Sequence, residues 1–191
     1  MFIRTLLGAA LLVSASGAMA DWQLNAANSN VSFISVKKGD VAEVHKFKSL
    51  EGKLSEQGDF SLNIPLASVD TGIEIRDERM KSMLFEVEQF PSLTLSAKIE
   101  PSLVNALKPG EITKAEIPAT VELHGKSDKL NVEVTVARVS DNTLMVSSSA
   151  MLIVNAANFG LTAGIEKLRE LAGLSAISSA VPVSFVLTLE K

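Results

Sequence analysis

The sequence contains no cysteine and no tyrosine, and only two histidines and one tryptophan. The missing cysteines exclude disulfides, thiolate metal sites and thiol nucleophiles. With so few histidines, imidazole chemistry rests on His45 and His124 alone. His124 takes the wet-face phase of its segment just before Gly125. His45 lies in the basic run Val44-His45-Lys46-Phe47-Lys48, so both are expected at the surface. No HExxH, GxSxG, Walker or GxGxxG motif is present. Ser147-Ser148-Ser149 has no local base and reads as small residues of a sheet. Glu43, Glu51, Asp77 and Glu78 are acids without the signature of a paired glycosidase site. No metal or cofactor is expected. An excess of positive charge is also missing, with 18 Lys+Arg against 22 Asp+Glu. That balance disfavours nonspecific binding to nucleic acid or to anionic lipid.

Residues 1–20, MFIRTLLGAALLVSASGAMA, have the features of a cleaved secretory signal peptide. Arg4 supplies the positive start, Leu6 to Val13 the short apolar core, and Ala18-Met19-Ala20 the small-x-small site before Asp21. The apolar run is too short to span a bilayer comfortably, so no integral membrane span is expected. Residues 21–191 are then the mature domain, expected in the periplasm. Its length suits one domain with a sizeable core, held by packing alone.

Period-two alternation dominates that domain. Phe60-Leu62-Ile64-Leu66, Leu93-Leu95-Ala97-Ile99, Ile117-Ala119-Val121-Leu123, Leu130-Val132-Val134-Val136 and Val183-Phe185-Leu187-Leu189 each alternate with mostly polar residues. Such strands have one dry and one wet face, as in an antiparallel sheet. Less regular strands are expected over 30–36, 44–54 and 143–154, giving about eight. From alternation alone, a barrel and a sandwich fit equally well. Two amphipathic segments interrupt the strands, one over 75–85 and one over 164–175, with Gly173 as the stop of the second. The dry faces are almost wholly Val, Leu, Ile, Phe and Ala. They suit either a filled core or a cavity for a long hydrocarbon.

The segment LASVDTGIEIRDERMKSMLFEVEQFPSLTLSA bunches charge against apolar anchors. Its Ser68-Val69-Asp70-Thr71, Arg76-Asp77, Leu84-Phe85 and Phe90-Pro91 resemble the signature of the YceI-like family of exported lipid-binding proteins. LEGKL at 50–54 and AANFGL at 156–161 are similar to further segments of that family. The chain departs from the family pattern at Arg79 and Met80, where a histidine often follows the Arg-Asp pair. It departs again at Leu84, at Lys126-Ser127-Asp128 and at Asn158.

The resemblance implies an all-β fold: an eight-stranded antiparallel, lipocalin-like barrel with two short helices near its ends. It also implies a long apolar cavity for a polyisoprenoid or quinone-type lipid. The expected wall is Phe33, Phe60, Leu62, Ile64, Leu93, Leu95, Val121, Leu123, Val132, Val134, Ile153, Phe185 and Leu187. Met80, Met83, Leu84, Phe85 and Phe159 are expected at a lid or cavity end, where methionine adapts to irregular ligands. Arg76 and Asp77 are expected to pair and to fix the short helix, with Asp77 favoured near its N-terminus. The leading expectation is therefore binding rather than catalysis, with an apolar lipid as partner and room for a homodimer. Two alternatives are an enzyme on lipid or glycan centred on Arg76 and Asp77, and an envelope stress or interaction module with a filled barrel.

Overall fold

The computed structural model describes residues 21–191, and the leader expected over 1–20 lies outside the described residues. Twelve hydrogen-bonded segments form one antiparallel sheet. They are β1 (Trp22–Leu24), β2 (Asn30–Lys37), β3 (Val41–Phe47), β4 (Glu51–Leu54), β5 (Asp59–Pro65) and β6 (Val69–Asp70), then β7 (Ser92–Lys98), β8 (Ile112–Leu123), β9 (Lys126–Ser140), β10 (Thr143–Ser148), β11 (Leu152–Asn155) and β12 (Ala180–Glu190). Pairing reduces these to eight barrel strands, because β1/β2, β3/β4, β5/β6 and β10/β11 are each one strand broken by a kink. The first edge of β12 pairs with β10 and β11, and the second with β2 and β1. The sheet is thereby closed.

Local chemistry makes the kinks. Asn25 Oδ1 caps a one-turn 3₁₀ segment, Ala26–Asn28, by accepting the Asn28 N–H at 3.2 Å. Pro65, which has no N–H to give a ladder, ends β5; Leu66–Ser68 then turns, and Ser68 Oγ donates to the Pro65 carbonyl at 2.6 Å. A further break at 48–50 moves the inward phase from Phe47 to Leu50, which is why 44–54 reads as irregular. The unbroken β8–β9 hairpin turns on His124 and Gly125, both at positive φ, as a two-residue turn with right-handed strand twist requires.

Among the described residues three α-helices lie between strands, one more than the two expected. α1 (Glu74–Arg79) continues into a wider π turn, Met80–Leu84, and α3 (Thr162–Leu171) packs on that turn. At this end of the barrel Leu66, Met80, Leu84, Phe85, Val121, Leu123, Phe159, Leu161 and Ile165 form one core. α2 (Pro101–Asn105) lies at the other end, where Val104 packs with Trp22, Leu54, Leu144 and Leu189. Its five residues, opened by Pro101, are too few to show a helical period. No described helix is long and apolar enough to cross a membrane.

Candidate functional site

The strands enclose a cavity of about 100 Å³ in the half of the barrel under α2. Every side chain lining it is Ala, Val, Leu, Ile or Phe. Of the thirteen expected wall residues, Phe60, Leu62, Leu95, Val132, Val134, Phe185 and Leu187 line it. Phe33, Ile64, Leu93, Val121 and Leu123 belong instead to the packed interior nearer α1 and α3. Ile153 does neither: its side chain is 60 % exposed. In β11 it is Leu152 and Val154 that pack inward, in the same phase as Leu144 and Val146 of β10, and Ile153 shares the outward face of Met145 and Met151.

Much of the remaining wall comes from residues in the same phase as the expected ones, Ala97 and Ile99, Ile117 and Ala119, Val136, and Leu189, and β4 and β10 add Leu54, Leu144 and Val146. Those in the expected phase were legible as dry faces, but not as cavity wall. Leu103 and Val104 of α2 carried no such signal, and they form the cover of the cavity.

The five lid candidates are placed away from this cavity. Met80, Leu84, Phe85 and Phe159 are buried in the opposite core, and Met83 is half-buried beside them. Phe159, 1 % exposed, has no open space beside it to gate. The segment over 75–85 is thus a plug at the closed end. Its fit is tight: a Cβ on Gly164 of α3 would lie 2.7 Å from the Met83 carbonyl oxygen and 2.8 Å from Leu84 Cα.

Arg76 and Asp77 do not pair with each other. Arg76 donates to Glu43 Oε2 at 2.6 Å and to the Thr71 carbonyl at 2.7 Å, which ties α1 to β3. Asp77 accepts from the Thr71 N–H at 2.9 Å and from the Thr71 hydroxyl, closing the β6–α1 corner. Lys37 also reaches Glu43, at 2.7 Å, and these donors, Lys37 foremost, hold the Glu43 carboxyl below its ordinary range. Both acids have structural partners, and neither residue of the expected pair lines the cavity.

The histidines also depart from expectation. His45 is 3 % exposed, its Nε2 lies 2.8 Å from Ser35 Oγ, and its ring centroid is 5.2 Å from that of Phe33. Its Nδ1 and the nearby Arg76 Nε are buried without hydrogen-bond partners. Burial, reinforced by Arg76, holds the His45 imidazole below its ordinary pKa. His124 packs its ring 4.3 Å from Phe90 and places Nε2 2.9 Å from Glu86 Oε2, so it is a partly covered clasp rather than a free surface group. Among the described residues, no three His, Cys, Asp or Glu side chains converge as a metal-ligand set.

The barrel has solved relatives. A polyisoprenoid-binding domain from Saccharophagus degradans, implicated in plant cell wall breakdown, is 39 % identical, with a TM-score of 0.87 over 88 % of this chain and 97 % of its own. BcnA of Burkholderia cenocepacia shares the fold at 23 % identity and a TM-score of 0.66, covering 86 % of this chain and 98 % of its own. A YceI protein of Campylobacter jejuni does so at 14 % and 0.55, covering 77 % and 84 %. A search of curated proteins found no match. The model of the YceI-like domain matches residues 22–189, nearly the whole barrel. With that match and a solved relative at 39 % identity, the chain belongs to the YceI-like family.

Proposed function

We propose that this protein is an exported, periplasmic carrier or sequestering protein that holds the chain of an isoprenoid or quinone-type lipid inside its barrel. The observation that carries the reading is a cavity wall without one polar side chain. Such a wall offers no directional bonds to a sugar or nucleotide, yet it favours hydrocarbon over water. The likeness to a polyisoprenoid-binding domain at 39 % identity supports the same ligand class. The leader expected over residues 1–20 supports export.

The energetics suffice without polar contacts. Burial contributes roughly 0.8 kcal/mol per CH₂, or about 4 kcal/mol per five-carbon unit. Two units therefore approach the ~8 kcal/mol of a micromolar complex before ordering costs are subtracted. The closed cavity, about 100 Å³, is smaller than the roughly 300–1,000 Å³ of ordinary ligand pockets. A long chain therefore has to lift α2, whose Leu103 and Val104 cover the cavity.

The test is to purify the protein from its native host, extract it with organic solvent and identify the extract by mass spectrometry. A stoichiometric prenyl lipid is expected from the native protein. A Val134→Phe variant, which fills the cavity, is expected to yield far less. Absence of lipid from both would overturn the carrier reading.

A further inference from the structure

Behind α2 lies a second hollow of about 130 Å³, bounded by Trp22, the β4–β5 turn around Ser55, Glu56 and Gly58, Pro101 and Asn105 of α2, and Lys191. Three side chains, Leu54, Ile99 and Val104, belong to the walls of both hollows and form a partition between them. One side of this partition is wholly apolar, and the other carries charge.

The charged side has a specific arrangement. Glu56 Oε1 is buried and has no hydrogen-bond partner, while Lys191 Nζ stands 3.9 Å from it. That separation is an ion pair beyond hydrogen-bond range, so the acceptor and the donor attract each other without a hydrogen bond between them. The Glu56 backbone is fixed, its N–H donating to Asp21 Oδ1 at 3.3 Å. The floor is the Trp22 ring, 3 % exposed, with the Lys191 ammonium 4.9 Å and the Arg138 guanidinium 5.1 Å from its centroid. Arg138 already donates to the carbonyls of Ser140 and Asp141, at 3.0 and 2.7 Å. Among the described residues lining this space, Lys191 is then the cation left to serve it, and it is matched by the Glu56 carboxylate.

We propose that this hollow is the headgroup site of the bound amphiphile, and that it selects an uncharged head bearing a hydroxyl over a phosphate ester. The proposal rests on the carrier reading. A hydroxyl can donate to Glu56 Oε1 and accept from Lys191 Nζ, completing both partners at once. A phosphate or diphosphate gains the same ammonium but places its negative charge against the Glu56 carboxylate. The prenyl chain then runs past Leu54, Ile99 and Val104 into the apolar cavity.

Trp22 is the only tryptophan in the chain, so its fluorescence reports directly on this site. Delipidated protein is titrated with geranylgeraniol, with geranylgeranyl diphosphate and with phytane, a branched hydrocarbon lacking a head. Geranylgeraniol is expected to bind with a change in Trp22 emission, tenfold or more tighter than the diphosphate. In Glu56→Gln, whose melting curve is recorded alongside, the gap is expected to narrow to a few-fold. Equal affinities for all three probes, with no effect of Glu56→Gln, would overturn the headgroup site while leaving the carrier reading standing. A diphosphate that binds more tightly than the alcohol would do the same. If no probe binds at all, both readings fall together.

Discussion

Replacing Gly164 with alanine separates two effects of opposite sign. In an isolated helix, Gly→Ala stabilises by about 1 kcal/mol through backbone entropy. Here the new methyl would sit 2.7 Å from the Met83 carbonyl oxygen, 2.8 Å from Leu84 Cα and 3.1 Å from Leu84 Cδ1. The first two are backbone atoms of the π turn, which no rotamer change can move aside. Forcing extra volume into a packed site costs about 1–3 kcal/mol, and a clash with backbone belongs at the upper end. The expected net loss is about 2 kcal/mol, which for a domain of this size lowers Tm by roughly 4–8 °C. Urea and thermal melts should be run on delipidated protein, because a bound lipid would add its own stabilisation. Adding Leu84→Ala should not restore stability, since truncating that side chain leaves the Met83 oxygen and the Leu84 backbone in place. A Gly164→Ala protein that gains about 1 kcal/mol, as propensity alone would give, would refute the packing of α3 directly on the plug.

Two further outcomes are expected from the polar cluster beside α1. His45 has its imidazole pKa lowered below 6.5 by burial, with Arg76 and Lys37 adding to the effect and Glu43 and Asp77 opposing it. The unfolded chain therefore takes up this proton first, so stability is full above about pH 6.5 and falls as pH drops from there towards the folded pKa. One proton contributes at most about 1.4 kcal/mol per pH unit to that slope. Urea midpoints between pH 7 and pH 5 should show a shallower decline in His45→Gln, and an unchanged slope would contradict the assignment. Asp77→Asn removes the charge that accepts both Thr71 bonds, and a loss of about 1–3 kcal/mol in stability is expected with lipid binding retained. Lost binding at unchanged stability, measured by melts and lipid extraction, would instead move Asp77 into the functional machinery.

The barrel was legible because alternation is a long-range regularity, repeated strand after strand. The kinks were not, since a Pro65 or an Asn25 resets the phase at one residue while the composition stays the same. Ile153 was misplaced without any kink: it shares the outward phase of Met145 and Met151, so an apolar side chain there marks no wall. His45 is a different case. It shares the phase of Glu43 and Phe47, which turn inward, while Val44 lies 68 % exposed. Its charged neighbours suggested water, but the period pointed inside, and the period prevailed. The family resemblance carried the barrel but not which end of it holds the cavity. That depends on how tightly α3 seats on the π turn and how little α2 covers, both matters of three-dimensional fit. Five residues opened by a proline leave no periodic trace, so the cover over the cavity could not be read from pattern.

The closing strand has a consequence for the order in which the molecule comes into being. β12 holds both seams of the barrel, and Asn25 on its far side donates to Glu190 across 165 residues of chain. Pairings of such long range are slow to form, because the entropy of bringing the ends together is spent before any contact rewards it. With no cysteine in the chain, no covalent clasp can hold the ends near each other in the interval. Until β12 zips in, the half-made barrel is a trough with its apolar floor open along one whole side. On the proposed carrier reading, a lipid that arrives before the seam shuts is wrapped, whereas one that arrives afterwards has to pass α2. The timing of folding relative to lipid supply would then decide which of these routes fills the protein.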